Sequence, residues 1–474
     1  MTLYHAGEEL TQLNDNHGER MKPLRNSGQD KGRPSLVENV PPEVLLELFS
    51  ILLDDDSRNM IFPSHVCRLW RDLITQSSAL WSCITLGDAD ESEENVFAFL
   101  KTCLQRAGAH PLSLSIHPDN DMMKPSALLK AVLQAAGKSE WSSISYDSHN
   151  INDFVHFFDG SFDLRQVTRL SLACNASGQG ILDLNLPGGV VDMRPFTHLR
   201  SLNLEFLERF DITRVLVPWD QLTHLNLTVF IDSRLCVSIL RRCINLESCE
   251  LYPTTHEDLH ILHDVGYERK LVRLPQLKHL HLTCYDVPSL LPDNLRCPVL
   301  EEASFDYVTK GVDGHCDFLE SFIIKCRNTL LKLGLPGLMT DDFSKIQGRL
   351  TVLEELTITG PFGSPPSILG YDVTTPGPNS RYDRGVRTFF KNLRERPESL
   401  PKLTTLCMLE QRPEERLSVE REVAKFIKCR LFEFKDAPLK VIFRLKEGDK
   451  EEQNQRQENF REWQALGITI DFDL

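Results

Sequence analysis

The first 36 residues show no apolar period and are dominated by Asn, Asp, Gly, Lys and Arg. Such a stretch cannot bury enough surface to order itself, so it is expected to be a flexible lead. From Val37 the pattern turns helical. Pro41-Pro42-Glu43 opens a helix: first-turn N–H groups have no helical partner, so proline costs nothing there, and a carboxylate suits the positive end of the helix dipole. Val44, Leu45, Leu48, Phe49, Ile51 and Leu52 follow at helical spacing, until Asp54-Asp55-Asp56-Ser57 stops the run. Pro63-Ser64 starts another helix carrying Val66, Leu69, Trp70, Leu73 and Ile74. Leu80-Trp81 then leads into Cys83-Ile84-Thr85-Leu86, which alternates like a strand. A helical unit of about 50 residues supplies only a few kcal/mol of core by itself, so it should lean on the chain beyond it.

That remaining chain is repetitive. Leu-x-x-Leu-x-Leu begins at Leu199, Leu222, Leu277, Leu330 and Leu353, with degenerate copies at Leu246, Leu300 and Leu403 and weaker ones at Trp81, Pro111, Trp141 and Val167. Ten of the eleven intervals between successive starts lie between 23 and 32 residues. This is the strand signature and near-period of leucine-rich repeats. One repeat cannot bury its own apolar face, so the units must stack, each adding a strand to a parallel sheet. The expected fold is α/β: a small helical unit followed by an open solenoid, a horseshoe with a parallel concave sheet. Segments fit for short convex helices lie between strands, as at Ser233 to Arg242 and Phe318 to Lys325. Cys243 and Cys297 each stand three residues before the next repeat's leucine, where a small buried thiol can finish a turn with a weak hydrogen bond. These thiols are read as structural.

The long interval between Leu353 and Leu403 holds Gly360-Pro361-Phe362-Gly363-Ser364-Pro365-Pro366 and Thr374-Thr375-Pro376-Gly377-Pro378. That composition supports neither helix nor ladder. A basic helix is expected after it, from Arg384 to Arg396. Val441 to Leu445 reads as a strand, and the charged, Gln-rich remainder as a cap on the open end. The organisation expected is therefore a lead at 1–36, the helical unit at 37–85, the solenoid at 86–445 with an insertion at 360–400, and a cap at 446–474.

Charge and chemistry narrow the function. Lys plus Arg number 53 and Asp plus Glu 68, a net charge of −15. A surplus of acid disfavours nucleic acid and anionic membranes, whose binding needs cations. The longest apolar run, Val44 to Leu53, is interrupted by Glu47 and falls well short of the ~20 residues of a membrane helix. The polar start carries no secretory core, so the chain is expected in the cytoplasm, the nucleus or both, with its 13 scattered cysteines reduced. His256-Glu257-Asp258-Leu259-His260 has the spacing of a zinc peptidase helix. It comes after a repeat strand, though, which puts it on a convex segment facing solvent. A zinc enzyme is therefore the remote reading; no catalytic residue, metal ligand or cofactor is expected.

Val40-Pro41-Pro42-Glu43 through Phe49, then Val66-Cys67-Arg68-Leu69-Trp70, then Leu80-Trp81, resemble the F-box in order and spacing. An F-box followed by leucine-rich repeats is similar to the fungal-type substrate receptors of ubiquitin ligases. The resemblance implies a non-enzymatic role: the F-box docks on the small adaptor of an SCF-type cullin–RING ligase, and through it a cullin, while the repeats capture a target protein. Carried over residue by residue, Pro41, Leu45, Leu48, Phe49, Val66 and Trp70 would form the adaptor interface. The alternative is a binding scaffold whose F-box-like unit engages no ligase.

For the target, strand alternation sends the residues flanking the second and third leucines to the concave face. Those include Glu205, His224, Glu250, Tyr252, His279, His281, Glu302, Asp306 and Glu355. The face is polar and acidic, so a polar or basic target segment is expected.

Overall fold

The computed structural model describes residues 40–53, 57–87, 93–117, 140–148, 164–174, 190–206, 211–254, 271–284, 294–307, 317–336, 346–359, 381–409, 422–430 and 439–444, with single positions at 132, 154, 343 and 461. The expected flexible lead, the motif at 256–260, the Pro/Gly-rich part of the insertion at 360–380 and nearly all of the expected cap lie outside the described residues.

The chain begins with helix α1, Pro42–Leu53, followed by a 3-10 turn at Ser57–Met60, the short α2 at Ile61–Ser64, and α3 at Arg68–Gln76. A second 3-10 turn, Ser78–Trp81, runs into strand β1. Strands β1 to β9 span Cys83–Gly87, Leu112–His117, Trp141–Ser148, Arg169–Cys174, Val191–Asp192, Ser201–Phe206, Val215–Leu216, His224–Asp232 and Ser248–Thr254. Strands β10 to β17 span Val272–Arg273, His279–Cys284, Leu295–Arg296, Glu302–Tyr307, Lys332–Pro336, Glu355–Thr359, Thr405–Leu409 and Lys440–Arg444. The further helices are α4 at Glu93–Ala107, α5 at Ser233–Leu240, α6 at Asp317–Cys326 and α7 at Arg381–Glu395.

Thirteen strands form one sheet in which spatial order is chain order, from β1 to β17. Every pairing in it is parallel. The two-residue strands pair separately, β5 with β7 and β10 with β12. A parallel sheet without a return strand needs a crossover after each strand, and the repeat supplies one every turn. The chain is thus an open leucine-rich-repeat solenoid. All twelve repeat starts read from the sequence lead into a sheet strand, and the strand expected at Val441 becomes the thirteenth, β17.

The central leucine of the motif builds one continuous buried ladder. Leu170, Leu202, Leu225, Cys249, Leu280, Ala303, Leu333, Leu356, Leu406 and Val441 are register partners in succession, and all are buried. A buried leucine of this kind stabilises by about 1.5–3 kcal/mol. The degenerate repeat at Leu300 keeps its volume by exchange: Ala303 is small, while Phe305 two residues on is large and meets Phe322 of α6 edge-on at 5.5 Å. Cys243 and Cys297 are both buried, and two buried thiols, Cys243 and Cys326, hydrogen-bond to carbonyls four residues before them. Cys243 Sγ donates to the Ile239 carbonyl at 3.4 Å and Cys326 Sγ to that of Phe322 at 3.1 Å.

The helical unit shares this core. Leu45, Phe49, Met60, Ile74, Leu80 and Trp81 belong to the same buried cluster as the repeats. The boundary read at 85 falls inside β1, which pairs with β2 from Cys83 to Gly87. The unit and the first repeat therefore share a strand.

Candidate functional site

Helix α1 is apolar on more than one face, and packing divides those faces. Leu45 and Phe49, one turn apart, point inward and are 3% and 1% exposed. The Phe49 ring meets Trp70 of α3 edge-on at 5.0 Å, and Trp70 itself packs partly buried against the common core. Val44, Leu48, Ile51 and Leu52 form the adjacent stripe, at the i, i+4, i+7, i+8 spacing of a single helix face. Leu48 is 48% and Ile51 67% exposed. Phe62 and Val66, at and just after α2, are 71% and 62% exposed, and Ile61 and Leu69 are also exposed.

The six residues expected at the adaptor divide by exposure. Pro41, Leu48 and Val66 lie at the surface, whereas Leu45 and Phe49 are internal and Trp70 is mostly so. A buried side chain cannot be a contact without unfolding the unit. The surface expected of Leu45 and Phe49 falls on their neighbours Val44, Ile51 and Leu52. Phe62 was not among the expected contacts because it lies outside the F-box pattern. Eight large apolar side chains are left in water on this small unit.

The second surface is the exposed face of the sheet. Strand β6 alternates between half-buried and buried positions from Ser201 to Phe206, which places Asn203 and Glu205 outward. Register aligns His279, Glu302, Lys332 and Glu355 in one row across four strands. In that row His279 Nδ1 lies 3.3 Å from Glu302 Oε2 and Lys332 Nζ 3.8 Å from Glu355 Oε2. The next row holds Asn226, Glu250, His281 and Ser304. His281 Nε2 stands between two carboxylates, 3.3 Å from Asp306 Oδ2 and 3.9 Å from Glu250 Oε1, and 3.2 Å from Thr283 Oγ1. Tyr252 donates its hydroxyl to Glu250 at 3.3 Å. The structure therefore groups Glu250, Tyr252, His279, His281, Glu302 and Asp306 on three successive strands of the sheet. Glu205 and His224 lie on the neighbouring strands β6 and β8, and Glu355 extends the row on β15.

Burial holds the Glu205 carboxyl above the usual range, and the charges of Asp147 and Glu250 push it the same way. A cation arriving there would find the charge that the face itself opposes.

The buried thiols are unsuited to nucleophilic work. Burial pushes Cys243, Cys297 and Cys326 up to about 12, so little thiolate forms near neutral pH. Among the described residues, no helix is long and apolar enough to cross a membrane.

No family model and no curated protein matches the chain. Among solved structures it is similar to that of the Rad7 and Elc1 complex in yeast, with a TM-score of 0.40 and 15% identity over 79% of this chain and 85% of that one.

Proposed function

We propose that this chain is a non-enzymatic target receptor of an SCF-type cullin–RING ubiquitin ligase, acting in the cytoplasm, the nucleus or both. Its helical unit docks the ligase adaptor, and the exposed sheet face captures a target protein through a polar or basic segment. The observation that carries this reading is the exposed apolar stripe of α1 beside Phe62 and Val66. Water-exposed apolar area of that kind is stabilised by a partner, and the F-box resemblance of part of this surface, Val44, Leu48, Val66 and Leu69, supports the adaptor as that partner. The sheet face supports the other half. Its carboxylates at Glu205, Glu250, Glu302 and Asp306 invite hydrogen bonds and positive charge, and offer no apolar groove.

The test of target capture is to reverse three charges, Glu250→Lys, Glu302→Lys and Asp306→Lys, and repeat affinity purification with mass spectrometry. The expected result is loss of a set of captured proteins while adaptor capture persists. Capture of the same proteins by a variant with native circular dichroism would move the target site off this face.

A further inference from the structure

Three side chains at the amino-terminal end of the sheet face form a further arrangement. Ser115 and His117 alternate on β2 and so emerge on the same side, and Asp147 lies beside them on β3. Ser115 Oγ is 2.6 Å from Nε2 of His117, and Nδ1 of the same ring is 2.6 Å from Asp147 Oδ2. A carboxylate accepts only, so Nδ1 carries a proton, and in the neutral ring Nε2 is left to accept from the serine hydroxyl. This is the order of a nucleophile, a general base and a group that orients the base. The side chains of His117 and Asp147 are 48% and 31% exposed, so the site is open to solutes.

We infer that Ser115 is an activated nucleophile, a covalent modification site that takes one acyl group from an activated ester. In the step, Ser115 Oγ bonds to the acyl carbon as its proton passes to His117 Nε2. The bond from that carbon to the leaving oxygen breaks, and the leaving oxygen takes the proton from His117. The products are an ester on Ser115 and a free alcohol. Asp147 is a positioning residue: it fixes the ring and stabilises the transient imidazolium. Stoichiometric modification, not turnover, fits this place in the fold. Ser115 sits mid-strand between register partners Thr85 and Ser145, where the neighbouring amides are committed to the ladder and are not aimed at a developing oxyanion.

Ser145 provides an internal control, because it occupies the same row on the next strand, while the 2.6 Å contact to His117 Nε2 is made by Ser115. The full-length chain is treated with p-nitrophenyl acetate, and acetylation of each serine is followed by peptide mass spectrometry. Ser115 is expected to acetylate at least about 100-fold faster than Ser145, the smaller end of what a positioned general base supplies. His117→Ala should remove that difference. Asp147→Asn should reduce it at least several-fold, and Asp147→Glu should recover part of the loss, which a purely structural role would not produce. Equal rates at Ser115 and Ser145 in the native chain would overturn the inference, as would an undiminished Ser115 rate in His117→Ala. The native-chain comparison needs no variant to fold, and neither outcome depends on adaptor or target binding.

Discussion

The indole N–H of Trp81 donates to the Ile74 carbonyl at 2.7 Å, and the Arg106 guanidinium lies over the same ring, 4.2 Å from its centroid. One side chain thus ties α3, from the helical unit, to α4, which comes after the first strand of the sheet. Trp81→Phe keeps a ring under Arg106 but leaves the buried Ile74 carbonyl without this donor. A cost of about 1–3 kcal/mol is expected. Because the unit and the repeats share one core, thermal unfolding should shift as a whole. A separate early transition of the helices would contradict the shared core.

Gly334 marks a close approach between strands. A Cβ there would sit 2.6 Å from Ser304 Oγ and 3.1 Å from Ser304 Cβ. Gly334→Ala should destabilise by about 1–3 kcal/mol, as overpacking does. Ser304→Gly in the same chain removes both clashing atoms and should recover much of the loss, measured by chemical denaturation of the single and double variants. Absence of recovery would place the strain elsewhere.

The thiols give stability a direction in alkali. Folding raises Cys243, Cys297 and Cys326 to about 12 from an ordinary value near 9. Above pH 9 the unfolded chain releases protons that the folded chain retains, so the folded state is favoured less as pH rises. Stability should be fully present below about pH 9 and fall steadily towards pH 12. Replacing the three with Ala or Val should flatten that slope, read from denaturation midpoints between about pH 8 and 11. An unchanged slope would mean that other groups set it.

The repeats were legible because burial recurs along the chain at nearly fixed intervals, and a ladder running through Leu202, Leu225 and Leu280 tolerates little besides apolar side chains. Even its exceptions follow a rule of volume, with Ala303 offset by Phe305. The inward face of α1 was not legible. Glu43, Glu47 and Ser50 mark one polar side, but Val44, Leu45, Leu46, Leu48, Phe49, Ile51 and Leu52 cover the rest of the helix, so only packing against Met60, Trp70 and Ile74 decides that Leu45 is core and Leu48 is surface. The pairing of His117 with Asp147 was hidden for another reason. Thirty residues separate them, and the contact arises from the register of β2 on β3.

Docking of a ligase adaptor on the outward stripe of the helical unit, as proposed above, can be measured directly. Deleting the unit is a poor test, because β1 belongs to the sheet. Replacing Leu45 is equally poor, because it opens the core. The direct measurement is the affinity of the full chain for the purified adaptor, by titration calorimetry, for the native protein and for Leu48→Asp with Val66→Asp. Binding by the native chain is expected, with a loss of roughly 1,000-fold in the variant, since central apolar anchors typically carry about 2 kcal/mol or more each, and with the circular dichroism spectrum unchanged. Native chain that fails to bind the adaptor, or a folded variant that binds as tightly as the native chain, would contradict this docking.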